Sequence, residues 1–419
     1  MILRKFFTLA ALLFSMVFVL SCSGGGNGNG GEIDPNDGLD RELDNLGLEN
    51  SIVIQFNNGT PTISNPYKNE VTVSLSEDNV VVKISANTEY NLVVSGATSN
   101  GSLKIYGVHN IGLYLNGVNI TNPVGPAINI QSGMEITVHL VGGTKNELAD
   151  GAIYAPTGTE DAKGTFFSEK RLRFVGTGSL EIRSRYNHAI VVDNHFTMES
   201  GNITIHESAN DGIHANDEIR ITGGTLNITS TGDAIQSESL PIRISGGKIT
   251  AETKGIKSHG IYSGDSTIIS ENASIEIIAR GNGAKGIKSR GLVSIRGGTT
   301  SIKTFGGIHT DNNSSDNSLD SNSATGIKGH HDMEIIGGTL RIESIGHRVK
   351  GMSIEGDLNI SNGNLDIRAN DDGMKIHGAL SISGGNISIR SERRDGIDCD
   401  EDKISITGGN ITIIDRNPR

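Results

Sequence analysis

Cysteine and positive charge are both scarce in this sequence. Its 419 residues include two cysteines, Cys22 and Cys399, and 36 basic residues against 48 acidic ones, which gives a formal net charge of −12. Nucleic acid is an unsuitable partner for so acidic a chain, because its phosphates would be repelled. With at most one cysteine pair, the fold has to be stabilised by packing and hydrogen bonds rather than by a disulfide framework.

The N-terminus has the features of an export signal. Two basic residues at positions 4 and 5 precede an apolar run over residues 6–20. The tetrapeptide VLSC at 19–22 overlaps the end of this run. This tetrapeptide resembles a bacterial lipobox, in which the cysteine is acylated and anchors the protein without a membrane span. A plain signal peptide with a chance cysteine is the alternative. We predict a signal peptide over 1–21, lipidation of Cys22, and a protein anchored at the outer membrane or cell surface.

The remainder of the chain divides by composition. Residues 22–50 are rich in Gly, Asn and Asp and show no sustained apolar period, which predicts a flexible tether. From residue 51 to residue 419, short runs of alternating Ile, Leu or Val recur without any amphipathic helical stretch. Such alternation is typical of half-buried strands, so the folded part is predicted to be all-β.

An internal repeat identifies the kind of β fold. A glycine precedes a short apolar strand at eight equivalent positions, and the closest spacings are 22 to 25 residues. The glycines are Gly201, Gly224, Gly247, Gly298, Gly338, Gly363, Gly385 and Gly409. A unit of this length cannot bury its apolar face alone, whereas stacked units share one core. We predict a right-handed parallel β-helix over 51–419, with 22–25-residue coils and with glycines supplying positive φ at the corners.

A second motif keeps step with the glycines and carries most of the charge. Its first position, just before a Gly-Ile, Gly-Met or, once, Ala-Ile pair, is predicted to stack as Asp211, Asp233, Lys254, Lys285, Thr325, Lys350, Asp372 and Asp395. Equivalent positions on neighbouring coils lie about 4.8 Å apart, a gap that Ca²⁺ can bridge between two carboxylates. The predicted calcium ligands are Asp211, Asp233 and Glu238 at one edge and Asp372, Asp395 and Asp398 at another. The alternative is that Asp before Gly only forms the turn.

Lysines form the other half of this pattern. The sequence KGIKS occurs twice, at 254–258 and 285–289, and predicts a basic stripe on an otherwise acidic protein. The stripe consists of Lys254, Lys257, Lys285, Lys288 and Lys328. Lysines beside carboxylates and calcium suit an anionic polymer. A solvated lysine edge that discourages sheet aggregation is the alternative.

Several longer stretches resemble a known family. They are SNGSLKIYG (99–107), LNGVNITNPVGPAINIQSG (115–133), VGGTKNELADGAIY (141–154), KGTFFSEKRLRFVGTGSLEI (163–182) and DGIHANDEIRITGGTLNIT (211–229). Together they resemble the bacterial family of secreted carbohydrate-binding β-helix proteins, which is associated with cellulose and acidic-sugar binding. Its fold is similar to that of calcium-dependent polysaccharide lyases. The resemblance implies bound calcium and a binding function, with a polysaccharide as partner.

Three classes of function follow from these observations. The first is a monomeric, surface-anchored lipoprotein that binds an acidic or cellulosic polysaccharide with structural calcium. The sequence has no Trp and only 4% aromatic residues, so charged and hydrogen-bonded sugar contacts are favoured over aromatic platforms. The second is a pectate-type lyase that acts by β-elimination, with Lys254 as the candidate base. The third is a structural adhesin.

Overall fold

Strands of the described chain follow one another at the spacing of the sequence repeat. The computed structural model describes residues 47–415, except residues 157, 159 and 311–321. The predicted signal peptide, the lipidation site Cys22 and most of the predicted tether lie outside the described residues. No helix in the described part is long and apolar enough to cross a membrane.

The first half of the described chain has longer and less regular strands than the second. The strands are β1 (Ile52–Asn57), β2 (Thr62–Ser64), β3 (Val71–Ser76), β4 (Asp78–Ile84), β5 (Tyr90–Thr98), β6 (Gly101–Gly107), β7 (Ile111–Asn122), β8 (Ile128–Ser132), β9 (Ile136–Leu140), β10 (Lys145–Asp150), β11 (Gly164–Ser168), β12 (Leu172–Gly176), β13 (Ser179–Ser184), β14 (His188–Val192), β15 (Phe196–Met198) and β16 (Asn202–Ser208).

The second half repeats a regular order of three strands per coil. The strands are β17 (Ile213–Ala215), β18 (Ile219–Ile221), β19 (Thr225–Ser230), β20 (Ile235–Ser237), β21 (Ile242–Ile244), β22 (Lys248–Thr253), β23 (Ile261–Ser263), β24 (Thr267–Ile269), β25 (Ser274–Ala279), β26 (Lys285–Ser289), β27 (Val293–Ile295), β28 (Thr299–Thr304), β29 (Thr325–Gly329), β30 (Met333–Ile335), β31 (Thr339–Ser344), β32 (Lys350–Ile354), β33 (Leu358–Ile360), β34 (Asn364–Ala369), β35 (Met374–Ile376), β36 (Leu380–Ile382), β37 (Asn386–Ser391), β38 (Ile397–Asp398), β39 (Ile404–Ile406) and β40 (Asn410–Asp415). A single 3-10 turn spans Glu401–Lys403.

Pairing between coils produces two sheets. A 14-stranded sheet, named sheet II here, contains one strand from each coil, including β14, β17, β20, β23, β26 and β29. The other two strands of each coil belong to a 26-stranded sheet, sheet I. Apart from the antiparallel pairs β1–β2 and β3–β4, the described strands pair in parallel. The predicted right-handed parallel β-helix is confirmed.

The core consists of in-register columns of aliphatic side chains. In sheet I, Ile203 pairs with Leu226 and Leu226 with Ile249, and all three are fully buried. Residues between them, such as Thr204, point away from the core, as the period of two requires. This packing agrees with the half-buried strands and the shared core that the repeat predicted.

Glycine has a different role at each corner of the coil. Gly385, before β37, has a φ of 92°, so the predicted positive-φ corner is correct there. Gly286, in the second KGIKS motif, does not have a positive φ. A Cβ at Gly286 would lie 2.2 Å from Ile302 Cγ2 and 2.6 Å from the Gly326 carbonyl oxygen. The prediction of positive φ was wrong for this corner, where glycine is required because the next strands pack too closely for a side chain.

The first KGIKS motif does not lie where the repeat predicted. Ile235 pairs with Ile261, and Ile261 pairs with Ile287, so the intervening Ile256 is outside the sheet. Ile256 is 60% exposed, whereas Ile261 and Ile287 are fully buried. Residues 254–258 are an insertion in the corner between β22 and β23. The predicted stacking of Lys254 and Lys257 on the aspartates was therefore wrong, because sequence spacing matched the motif to the wrong turn.

Close packing at Gly286 can be tested by adding one methyl group. We expect Gly286→Ala to lower the free energy of unfolding by about 1–3 kcal/mol, because the new Cβ must displace Ile302 or the Gly326 backbone. Gly59→Ala is the matched control, since a Cβ there meets nothing within 4 Å. Chemical denaturation of both variants provides the comparison. Equal stability of Gly286→Ala and the parent would contradict this packing argument.

Candidate functional site

One outward-facing column of sheet II carries most of the polar chemistry. Strand alternation points Ile213 and its equivalents inward and the next residue outward. On successive coils the outward residues are His214, Gln236, Tyr262, Lys288 and Lys328, which pair in register. We call these five residues the outer column. The position two residues before each inward-facing isoleucine adds Asp211, Asp233, His259 and Lys285 beside it.

Asp211 lies at one end of this surface and is enclosed by imidazoles. Its Oδ2 lies 3.0 Å from His188 Nδ1 and 2.9 Å from His214 Nδ1. Its Oδ1 accepts a 2.8 Å hydrogen bond from the Asp233 backbone N–H. Burial alone would raise the pKa of Asp211, but the hydrogen bonds from the two histidines outweigh burial and lower it to about 2. Asp211 is therefore ionised at neutral pH.

Asp233 behaves in the opposite way. It is buried, and one carboxylate oxygen accepts the backbone N–H of His259. Burial and then the neighbouring charge of Asp211 raise the pKa of Asp233 to about 8. At pH 7 this carboxyl is mainly protonated. Asp211 Oδ1 and one carboxylate oxygen of Asp233 each accept a backbone N–H, and Asp211 Oδ2 lies against two imidazoles, so these contacts differ from the calcium edge predicted from the two aspartates with Glu238.

The predicted lysine stripe divides into three environments. Lys254 and Lys257 are exposed in the inserted corner. Lys285 is 3% exposed, and its Nζ donates to the Gly283 carbonyl at 2.7 Å. Lys328 is also buried, with its Nζ 2.9 Å from Glu355 Oε1. Only Lys288 among the five is both in the outer column and half-exposed.

The buried lysines have perturbed protonation. Burial, followed by the charges of Lys288 and Lys328, lowers the pKa of Lys285 to about 7. Burial also lowers the pKa of Lys288. Lysine can act as a base only when its pKa is lowered in this way. The predicted base, Lys254, has no place in this cluster.

The structure adds two residues to the site that the repeat had not indicated. Tyr262 replaces the predicted Lys257 in the outer column. Lys288 Nζ lies 5.2 Å and Arg290 Cζ 5.9 Å from the centre of the Tyr262 ring. A ring flanked by two cations is a favourable cation–π arrangement. The sequence did contain a signal for this register, because a second Gly-Ile pair, Gly260-Ile261, follows Gly255-Ile256 and was the alternative match to the repeat.

The second predicted calcium edge has a distinct geometry. Asp372 is 1% exposed, and neither of its carboxylate oxygens has a hydrogen-bond partner. Asp371 beside it contacts Arg394 Nε at 3.2 Å. Burial, followed by the charges of Asp371 and Asp398, raises the pKa of Asp372 to about 6. The positive charges of Lys350 and Arg394 act in the opposite direction on this pKa, so Asp372 lies near two cations as well as two further carboxylates.

The other two members of that edge are less enclosed. Asp395 is half-buried, and Asp398 Oδ2 lies 3.8 Å from Lys375 Nζ. The structure thus places Asp372 and Asp398 within electrostatic reach of each other. A further acidic group, Asp161, Glu169 and Asp193, was not predicted from the repeat. Lys163 pairs with two of these carboxylates and neutralises part of their charge.

Comparison with known protein families agrees with the resemblance seen in the sequence. The model of a family described as carbohydrate-binding domain-containing protein matches residues 77–354 and 345–417. The chain belongs to this family. The match covers sheet II from β4 onward, together with the outer column and Asp372.

Two relatives can be compared directly. A carbohydrate-binding domain-containing protein of Acetivibrio thermocellus is 32% identical over 95 residues, which is 22% of this chain and 33% of the relative. The matched part is thus about a third of that relative's length. A solved structure of a polysaccharide lyase-like protein from C. thermocellum, a gadolinium derivative, aligns with 86% of this chain and 99% of its own at 18% identity and a TM-score of 0.38.

Proposed function

We propose that this protein is a surface-anchored lipoprotein that binds an acidic polysaccharide, of the polygalacturonate type, along the outer column of sheet II. The observation that carries the proposal is the group formed by Tyr262, Lys288 and Arg290, in which two cations flank one half-exposed ring. The two cations attract sugar carboxylates, and the ring gives a sugar face an apolar contact. Membership of a carbohydrate-binding family supports this assignment.

The direction of the column suits a polymer. Tyr262 and Lys288 lie on adjacent coils, whose spacing is about 4.8 Å. A chain lying along the helix axis would therefore meet a new outward side chain at every coil. Acylation of Cys22 and a tether over 22–50 would hold this surface away from the membrane. Cellulose, the neutral alternative, would depend on aromatic platforms, and Tyr262 is the one Phe, Tyr or Trp residue among the five of the outer column.

Removal of the two cations provides the direct test. We expect Lys288→Ala combined with Arg290→Ala to weaken polygalacturonate binding by about tenfold or more, and binding by the parent to weaken as salt is raised. Isothermal titration with polygalacturonate, its methyl-esterified form and soluble cellulose fragments measures this.

Lys248→Ala is the matched control, because Lys248 is an exposed lysine on β22 of sheet I. It removes one positive charge from the protein without touching the outer column. Unchanged binding by the Lys288/Arg290 variant, or equal losses in the control, would reject the outer column as the binding surface. Tighter binding to cellulose than to polygalacturonate would reject the acidic ligand.

We also propose that calcium is a structural ligand of the C-terminal coils, held through Asp372 with Asp398 nearby. The support is that both buried oxygens of Asp372 lack hydrogen-bond partners. Calcium prefers carboxylate oxygens and would offset the cost of ionising Asp372. When bound, the ion would supply positive charge between coils, while the polysaccharide contacts remain with Tyr262, Lys288 and Arg290.

The variant Asp372→Asn tests both the free-energy cost of ionising Asp372 and the binding of calcium by this residue. Since the folded pKa of Asp372 is raised, the penalty for ionising it is absent below the unfolded value of 3.8 and fully present above about pH 6. At pH 7.5 in chelator we expect Asp372→Asn to be more stable than the parent, by up to roughly 3 kcal/mol. Added calcium should raise the melting temperature of the parent and not that of the variant. An equal response of both proteins to calcium would contradict the site.

A lyase is the second candidate function, because the pKa of Lys285 is lowered to about 7. β-Elimination needs a base at the carbon next to the uronate carboxylate and a cation on that carboxylate. Lys285 is enclosed, and its Nζ donates to Gly283, so it does not reach the surface where we place the sugar. We expect no unsaturated uronate from polygalacturonate and calcium, measured by ultraviolet absorbance. Product that disappears in Lys285→Ala would establish the lyase instead.

A further inference from the structure

His188, Asp211 and His214 come together from two adjacent coils. His188 begins β14, Asp211 precedes β17, and His214 lies within β17. One ring nitrogen from each histidine approaches the same carboxylate oxygen, at 3.0 and 2.9 Å. Their side chains are 11%, 6% and 15% exposed. The three donor atoms thus converge at one half-enclosed point near the surface.

We propose that these three residues bind a divalent transition-metal ion of the zinc class. Two ligands at about 2.0–2.1 Å from a tetrahedral zinc ion are separated by about 3.3–3.4 Å. The donor atoms lie 3.0 and 2.9 Å apart, so small side-chain rotations would bring them to the distances that the ion requires. Two imidazoles and one carboxylate are a donor set that favours zinc, cobalt, nickel or iron over calcium, which prefers oxygen ligands alone.

Groups around the cluster orient the donors. The Asp211 backbone N–H lies 3.3 Å from His188 Nδ1, and a metal ion at that nitrogen would replace this long contact. The other oxygen of Asp211 is fixed by the Asp233 N–H. On the opposite side of the second imidazole, His214 Nε2 lies 3.6 Å from Glu238 Oε1, and Gln236 donates to that oxygen at 2.8 Å.

This outer carboxylate is typical of metal-binding histidines. A ligating imidazole usually directs its second nitrogen to a carboxylate or carbonyl, which sets its orientation and raises its basicity. Glu238, predicted from the sequence as a calcium ligand, thus lies next to the donors rather than among them. The open side of the cluster would be completed by water or by a ligand oxygen.

The experiment is a titration of the full chain, freed of metal by chelation, with Zn²⁺ and with Co²⁺. We expect one ion to bind per chain through this cluster, visible as Co²⁺ absorption bands of nitrogen and oxygen ligation and as a rise in melting temperature. Calcium in excess should not displace Co²⁺. The variant His214→Ala should weaken binding by about tenfold or more.

The matched control is His206→Ala, because His206 Nε2 lies 2.9 Å from Glu181 in an exposed pair without a second histidine. It should leave Co²⁺ binding unchanged. Asp211→Asn serves as a second test variant, and thermal melting without metal establishes that each variant folds. Absence of a bound ion, or spectra that are the same in His214→Ala and the parent, would overturn the proposal and leave an Asp–His hydrogen-bonded cluster. Polygalacturonate binding by the Lys288 surface is measured separately and does not decide this outcome.

Discussion

In-register stacking of one coil on the next is the constraint on which the rest of this structure depends. Parallel strands place residues at equivalent positions of neighbouring coils about 4.8 Å apart. A residue type that recurs at the coil length therefore forms a continuous column of side chains. Inside, the columns are aliphatic and dry, as with Ile203, Leu226 and Ile249. Outside, the same rule produces a column of polar and charged groups that would otherwise lie far apart in the chain.

Stacking also explains why the charged groups have unusual protonation. A carboxyl or ammonium group at a coil corner is covered by the coils on both sides, so it loses water and gains like-charged neighbours together. Asp233 and Asp372 retain protons to higher pH for this reason, and Lys285 loses its proton at lower pH. Asp211 differs because two imidazoles stabilise its ionised form. The coils therefore carry four ionisable groups, Asp211, Asp233, Lys285 and Asp372, whose pKa values their surroundings shift.

The electrostatic surface is divided along the helix axis. Around Asp211 the donors are imidazole and carboxylate, two coils further on they are Tyr262, Lys288 and Arg290, and near the C-terminus a buried carboxylate lacks a partner. Each group draws its members from neighbouring coils, as expected for a solenoid in which each coil contacts the coils next to it. The proposed metal site and the proposed polysaccharide surface thus lie at separate positions of one sheet and can be tested independently.

The sequence by itself determined the fold class, the coil length and the inward columns, because a period of two along strands and a repeated glycine are local signals. It also pointed to the surface that carries Lys285 and Lys288. Only the tertiary structure decided which turn stacks on which, since the inserted residues 254–258 placed Tyr262, and not Lys257, in the outer column. Likewise, the burial of Lys285 and the meeting of His188 with Asp211 depend on coil-to-coil packing across 23 residues or more, which residue spacing alone does not specify.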